Sequence, residues 1–178
     1  ITNIGPYIIA KQATSGNFGG WSFACNSGGG GYSFSLQIRN AFTNRILVSS
    51  PSSSVPIGSW THLAATYDGS KTAAGVVLFI NGNTQSPTVG ANTLTGSSST
   101  PETLKIGSRT GNNATTWHGL IDDVRFIYNR ALSANEIRLL AQRPGIAYEL
   151  APRKFYSLPA AATSRQYRLF RPSILRGA

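Results

Sequence analysis

Apolar and polar residues change over along this chain in short runs, mostly four to eight residues long. Pro6 to Lys11, Trp21 to Asn26, Tyr32 to Ile38, Arg45 to Ser49, Trp60 to Tyr67, Val76 to Ile80, Thr103 to Ile106 and Leu120 to Tyr128 read as strands, each bounded by Gly, Pro, Ser or Asn clusters. Within Trp60 to Tyr67, Leu63, Ala65 and Tyr67 fall on one face and His62, Ala64 and Thr66 on the other, the pattern of a strand with one buried side. Asn81-Gly82 follows Val76 to Ile80 and supplies two residues that tolerate positive φ, so a type I′ hairpin is expected there. Only Ser133 to Gln142 has helical spacing. Ser133 and Glu136 stand at capping-box distance, Ile137, Leu140 and Ala141 form an apolar stripe, and Arg143-Pro144 ends the run. Many short strands with one late helix predict an all-β, two-sheet antiparallel sandwich.

Composition supports that class. The 178 residues fit one domain, and only 12% are charged, against roughly 25% in ordinary soluble domains. Polarity comes instead from Ser, Thr, Asn and 19 glycines, which with 18 aromatics suits strands and turns and excludes a helical bundle. Cys25 is the sole cysteine, so the chain can form no internal disulfide and no Cys-rich zinc site. The apolar runs are far shorter than a membrane-spanning helix needs. Ile1 stands where an initiator Met would be, and the N-terminus is expected to be processed or incomplete.

The net charge of +10 invites a nucleic-acid reading, but its distribution counters it. Residues 1–142 hold nine basic and five acidic residues, while residues 143–178 hold seven basic and one acidic. The excess therefore concentrates in a tail with four prolines and no sustained periodicity, and the expected organisation is a sandwich over 1–142 followed by an extended basic arm over 143–178. In that arm Arg153, Lys154, Phe155, Tyr156 and Tyr167, Arg168, Phe170, Arg171 interleave cations with aromatics. Such residues can stack on bases, but they suit a groove on another protein better, with rings as anchors and arginines at the rim.

Five segments together carry a family resemblance. Trp60-Thr61-His62-Leu63-Ala64-Ala65-Thr66-Tyr67-Asp68-Gly69, Val77-Leu78-Phe79-Ile80-Asn81-Gly82, Leu104-Lys105-Ile106-Gly107, Gly119-Leu120-Ile121-Asp122-Asp123-Val124-Arg125 and Tyr128-Asn129-Arg130-Ala131-Leu132-Ser133-Ala134-Asn135-Glu136-Ile137 occur in that order. The set resembles the concanavalin A-like LamG jelly rolls over roughly residues 7 to 142. The resemblance implies two stacked antiparallel sheets and a lectin-like role. It departs from the family pattern in two ways: the first strands of the family are missing, and the run after Asp123 is one residue longer, which a β-bulge near Phe126 would absorb. The arm, from Arg143 to Glu149 onward, resembles the ends of LamG proteins encoded by phages. That likeness implies a virion decoration or fibre component, located on the virion or outside the cell and joined to other subunits as a homo-oligomer or lattice. A secreted carbohydrate-binding module is the alternative.

Candidate chemistry is sparse. Adjacent Asp122 and Asp123 would point to opposite faces of a strand and could not flank one glycosidic bond, and a strand carrying alternating glutamates is absent, so no enzyme is expected. His62 and His118 lack partners in a nucleophile motif and read as structural. No cofactor is expected. Calcium remains an option through Asp68 beside Gly69, as LamG relatives often hold one ion at the rim, but Asp68 equally suits a turn. For glycans, the best set is Arg109, Asn112, Asn113 and Trp117, an aromatic face with amides and a cation in a Gly-bounded loop. Gly28 to Gly31 lacks the lysine of a phosphate loop and is expected to be a flexible connection.

Overall fold

The computed structural model describes residues 6–28, 31–109 and 116–145. Residues Ile1–Tyr148 form one compact unit; the second, Glu149–Ala178, lies outside the described residues. The strands are β1 (Tyr7–Gln12), β2 (Gly20–Gly28), β3 (Gly31–Arg39), β4 (Arg45–Ser49), β5 (Leu63–Tyr67), β6 (Val76–Ile80), β7 (Asn83–Thr84), β8 (Thr88–Asn92) and β9 (Lys105–Ile106), and the helix is α1 (Ala134–Gln142). Six strands form one sheet in the order β8-β4-β3-β2-β1-β9, and β5-β6-β7 form the other. All their pairings are antiparallel.

Strand alternation explains why the sheets stack. Trp21, Phe23 and Cys25 of β2 stand beside Ile38, Leu36 and Phe34 of β3, and Ile46 and Val48 of β4 continue that face. Val76, Leu78 and Ile80 of β6 meet it from the opposite sheet, with Leu63, Ala65 and Tyr67 of β5 packed against the same core. Phe34, Ile46, Val48 and Leu78 are sealed from solvent, so apolar burial holds the two layers together. Trp21 stacks on Phe126 at 5.1 Å between centroids and bridges the larger sheet to the segment before α1.

The expected hairpin forms: Asn81 and Gly82 adopt φ of 49° and 79°, and β7 folds back on β6. The capping box also forms, with Glu136 N–H donating to Ser133 Oγ and Ser133 N–H to Glu136 Oε2. Gly28 pairs with Gly31 at the end of the β2–β3 ladder, so both ends of the glycine run belong to strands; Gly29 and Gly30 lie outside the described residues.

Three expected strands differ. The run from Trp60 enters the ladder only at Leu63, because His62 is tied to the turn: its N–H donates to Asn81 Oδ1 at 2.9 Å and its carbonyl accepts from Asn81 N–H at 2.8 Å. Thr103 to Ile106 shortens to Lys105–Ile106. Leu120 to Tyr128 forms no strand: Asp123 takes φ 49°, its N–H donates to Asp122 Oδ1, and its carboxylate grips Arg125 through two hydrogen bonds of 2.7 Å. The bend lies at Asp123 and not in a bulge at Phe126. With no strand here, opposite-facing strand geometry cannot be what separates the Asp122 and Asp123 carboxylates. Strand β8 lies where no strand was expected. Gly90 lets β8 approach β4, since a Cβ there would stand 2.9 Å from Leu47.

Candidate functional site

The four residues of the candidate glycan loop are only partly described. Arg109 is partly buried and lies over the Tyr7 ring, its guanidinium carbon 5.1 Å from the centroid. Trp117 is half-buried and packs against the core, and its backbone N–H donates to Gly107 at 2.7 Å. Asn112 and Asn113 lie outside the described residues, as do the arm positions Arg153, Lys154, Phe155, Tyr156, Tyr167, Arg168, Phe170 and Arg171. With the indole against the core, Trp117 offers less ring surface to a sugar than a loop tryptophan would.

The other titratable candidates are spread apart. Asp68 is exposed, and its Oδ1 accepts from Ser70 N–H at 2.8 Å, which closes a turn and holds the carboxyl below its usual range. No group of three His, Cys, Asp or Glu residues converges among the described residues. His62 is half-buried; burial first, then the Arg125 charge, lower its pKa, and Asp123 partly opposes them. Its Nδ1 is enclosed without a hydrogen-bond partner. Cys25 lies in the core, and burial pushes its thiol up to about 12.

A polar cluster that the sequence did not announce lies on the face of the larger sheet turned away from the sandwich core. Alternation puts Ala10 and Gln12 of β1, Ser22 and Ala24 of β2, and Ser35, Gln37 and Arg39 of β3 on that face. Such residues would ordinarily meet water, yet Gln12, Ser22, Gln37 and Arg39 are all buried. Tyr7, with Ala10 and Ala24, makes a small apolar floor beside them. In register, Gln12, Gly20, Arg39 and Arg45 form one row across four strands. Gly20 is required in that row, because at φ 123° a Cβ would collide with the Lys11 carbonyl.

The cluster is under-satisfied. Arg39 donates one N–H to Gln37 Oε1, but its Nε is enclosed without an acceptor. Gln12 Oε1, Ser22 Oγ, Gln37 Nε2 and Arg109 Nε also lack partners. Among the described residues the ion pairs are Arg125 with Asp123 and Arg130 with Glu136, so no carboxylate neutralises Arg39, Arg45 or Arg109. Burial lowers the Arg39 pKa to about 10, Arg45 and Arg109 push the same way, and Tyr7 opposes them. Tyr7 is itself raised by burial, with Arg109 and Arg39 acting against that. The alternation of Ser33, Ser35, Gln37 and Arg39 is that of a water-facing strand side, so nothing in the sequence marked the cluster.

Two sheets with a shared apolar core, linked by hairpins and followed by a capped helix, define an antiparallel β-sandwich of the concanavalin A type. The model of the concanavalin A-like lectin/glucanases superfamily, Laminin_G_3, matches residues 2–138, and the chain belongs to that family. Neither the curated proteins nor the solved structures provided a match.

Proposed function

We propose that this chain is a non-enzymatic binding and assembly module, a virion decoration or fibre component of phage type. In this reading residues 143–178 anchor it to neighbouring subunits and the sandwich faces outward, where Arg109, Asn112, Asn113 and Trp117 contact glycans. The observation that carries the assembly role is the composition of the arm. Seven basic residues, one acidic residue, four prolines and the rings of Tyr148, Phe155, Tyr156, Tyr167 and Phe170 give it anchors and charge but no means of building a core. The non-enzymatic role is supported by the carboxylates: Asp123 and Glu136 are occupied by arginines and Asp68 by a turn.

Deleting residues 143–178 tests the proposal. The truncated chain should stay folded, with unchanged β-type circular dichroism, and fail to join its assembly. Normal incorporation of the truncated chain would overturn the anchoring role. The alternative, a secreted lectin-like module, would gain if the truncated chain kept full glycan binding and the intact chain joined no assembly. Measurable turnover in a glycan hydrolysis assay would overturn both.

A further inference from the structure

We infer that the outer face of the larger sheet holds an oxyanion-binding site, in which Arg39 and Arg109 receive the carboxylate or sulfate group of an acidic ligand. The inference is separate from the assembly role of the arm and stands if arm deletion changes nothing.

The first ground is an uncompensated buried charge. Arg39 is 6% exposed, yet the cations that act on it, Arg45 and Arg109, carry the same charge. Arg45 faces it directly in the β3–β4 register, where like charges repel. A buried cation without a counter-charge is strongly unfavourable, and an anion is the usual remedy. The second ground is donor geometry. Arg39 Nε and Arg109 Nε are both enclosed without acceptors, and guanidinium groups bind planar or tetrahedral oxyanions through paired N–H donors.

The third ground is the polar surround. Gln37 Nε2 is a further unpaired donor, while Gln12 Oε1 and Ser22 Oγ can accept from hydroxyls next to the anionic group. Tyr7 contributes a ring that already holds Arg109 in place. Arg45, which pairs with Arg39 in register, and Arg109 both keep part of their surface in solvent, so the cluster is not sealed at these two side chains. Without a ligand, these enclosed groups would lower stability with no return. With one, the Arg39, Arg109 and Gln37 donors gain an acceptor.

The test is thermal unfolding of the full chain in sodium sulfate, sodium glucuronate, neutral glucose and sodium chloride, the salts being at matched ionic strength. Sulfate or glucuronate should raise the midpoint saturably, as expected when a ligand binds only the folded state, and glucose should not. A response to sulfate alone assigns a tetrahedral anion, and one to glucuronate alone assigns a carboxylate. Arg39→Gln and Arg109→Gln should each weaken the response about tenfold or more, as loss of a charge-assisted hydrogen bond predicts. Lys71→Ala, at an exposed turn, should retain it, which separates the site from general attraction to a basic protein. Arg109, being partly exposed, carries the test if Arg39→Gln fails to fold. No saturable response in the wild type, or equal responses in wild type and both arginine variants, would overturn the site. An equal loss in Lys71→Ala would overturn it as well.

Discussion

Gly82 lies directly against Arg138: a Cβ on the glycine would stand 2.9 Å from the Arg138 Cα and 3.2 Å from the Ala141 Cβ. The β6–β7 turn and α1 are therefore fitted without a spare methyl between them. Gly82→Ala combines a strained positive φ with this overlap and is expected to destabilise the fold by about 1–3 kcal/mol. Chemical denaturation would measure it. Asn81→Gly, which keeps positive φ but loses the side-chain acceptor for His62 N–H, should cost less, about 1 kcal/mol.

The helix cap makes a second prediction. Ser133→Ala removes the acceptor of Glu136 N–H and should cost about 1 kcal/mol. The Arg130 guanidinium, followed by the Ser133 backbone and hydroxyl, holds the Glu136 carboxyl down to about 2. With the folded pKa depressed, the stabilisation is present above pH 4.5 and is lost as pH falls toward 2. Glu136→Gln should flatten that part of the stability profile, read by denaturation between pH 5 and about 2.

His62 acts in the same direction at higher pH. Its folded pKa is lowered from 6.5, so the folded state resists the proton that the unfolded state accepts. Stability should fall as pH drops below 6.5 and level off once the folded imidazole is also protonated. His62→Gln should remove that slope. Because Arg125 and Asp123 are the charged groups that act on the ring, Arg125→Gln should shrink it without removing it.

Cys25 should be inert in the native protein. A thiol sealed in the core with its pKa near 12 presents almost no thiolate at neutral pH. A disulfide reagent should label it only under unfolding conditions, at a rate that follows denaturant. Rapid native labelling would mean that the β2–β3 pair opens locally.

Legibility in the sequence follows the range of the determining interaction. Asn81-Gly82 and the Ser133–Glu136 box were readable because each is complete within a few residues. Val76–Ile80 and Arg45–Ser49 were readable to the residue, since apolar runs between turn residues leave little choice of boundary. Strand β8 was not, because Gly90 is selected by Leu47, over forty positions away. The run at Leu120 misled because its apolar residues have strand spacing, whereas its path is set by Asp123, whose left-handed turn and grip on Arg125 leave no pattern. Of the candidate sites, Arg109 and Trp117 were located but turn toward Tyr7 and the core. The buried polar face was hidden for a general reason: periodicity tells which residues share a side of a strand and is silent on whether that side is covered.

The pairing of Ile9 with Ile106 also governs how this molecule is made. Strand β1 enters the sheet near the beginning of the chain, but one of its two neighbours is supplied almost a hundred residues later. During synthesis that flank stays open, with unpaired amides and carbonyls, until β9 has left the ribosome. Closing so long a loop is entropically expensive, and such non-local pairings slow folding. The nascent chain is thus most vulnerable to mispairing with other copies during the interval between translation of Gln12 and translation of Ile106.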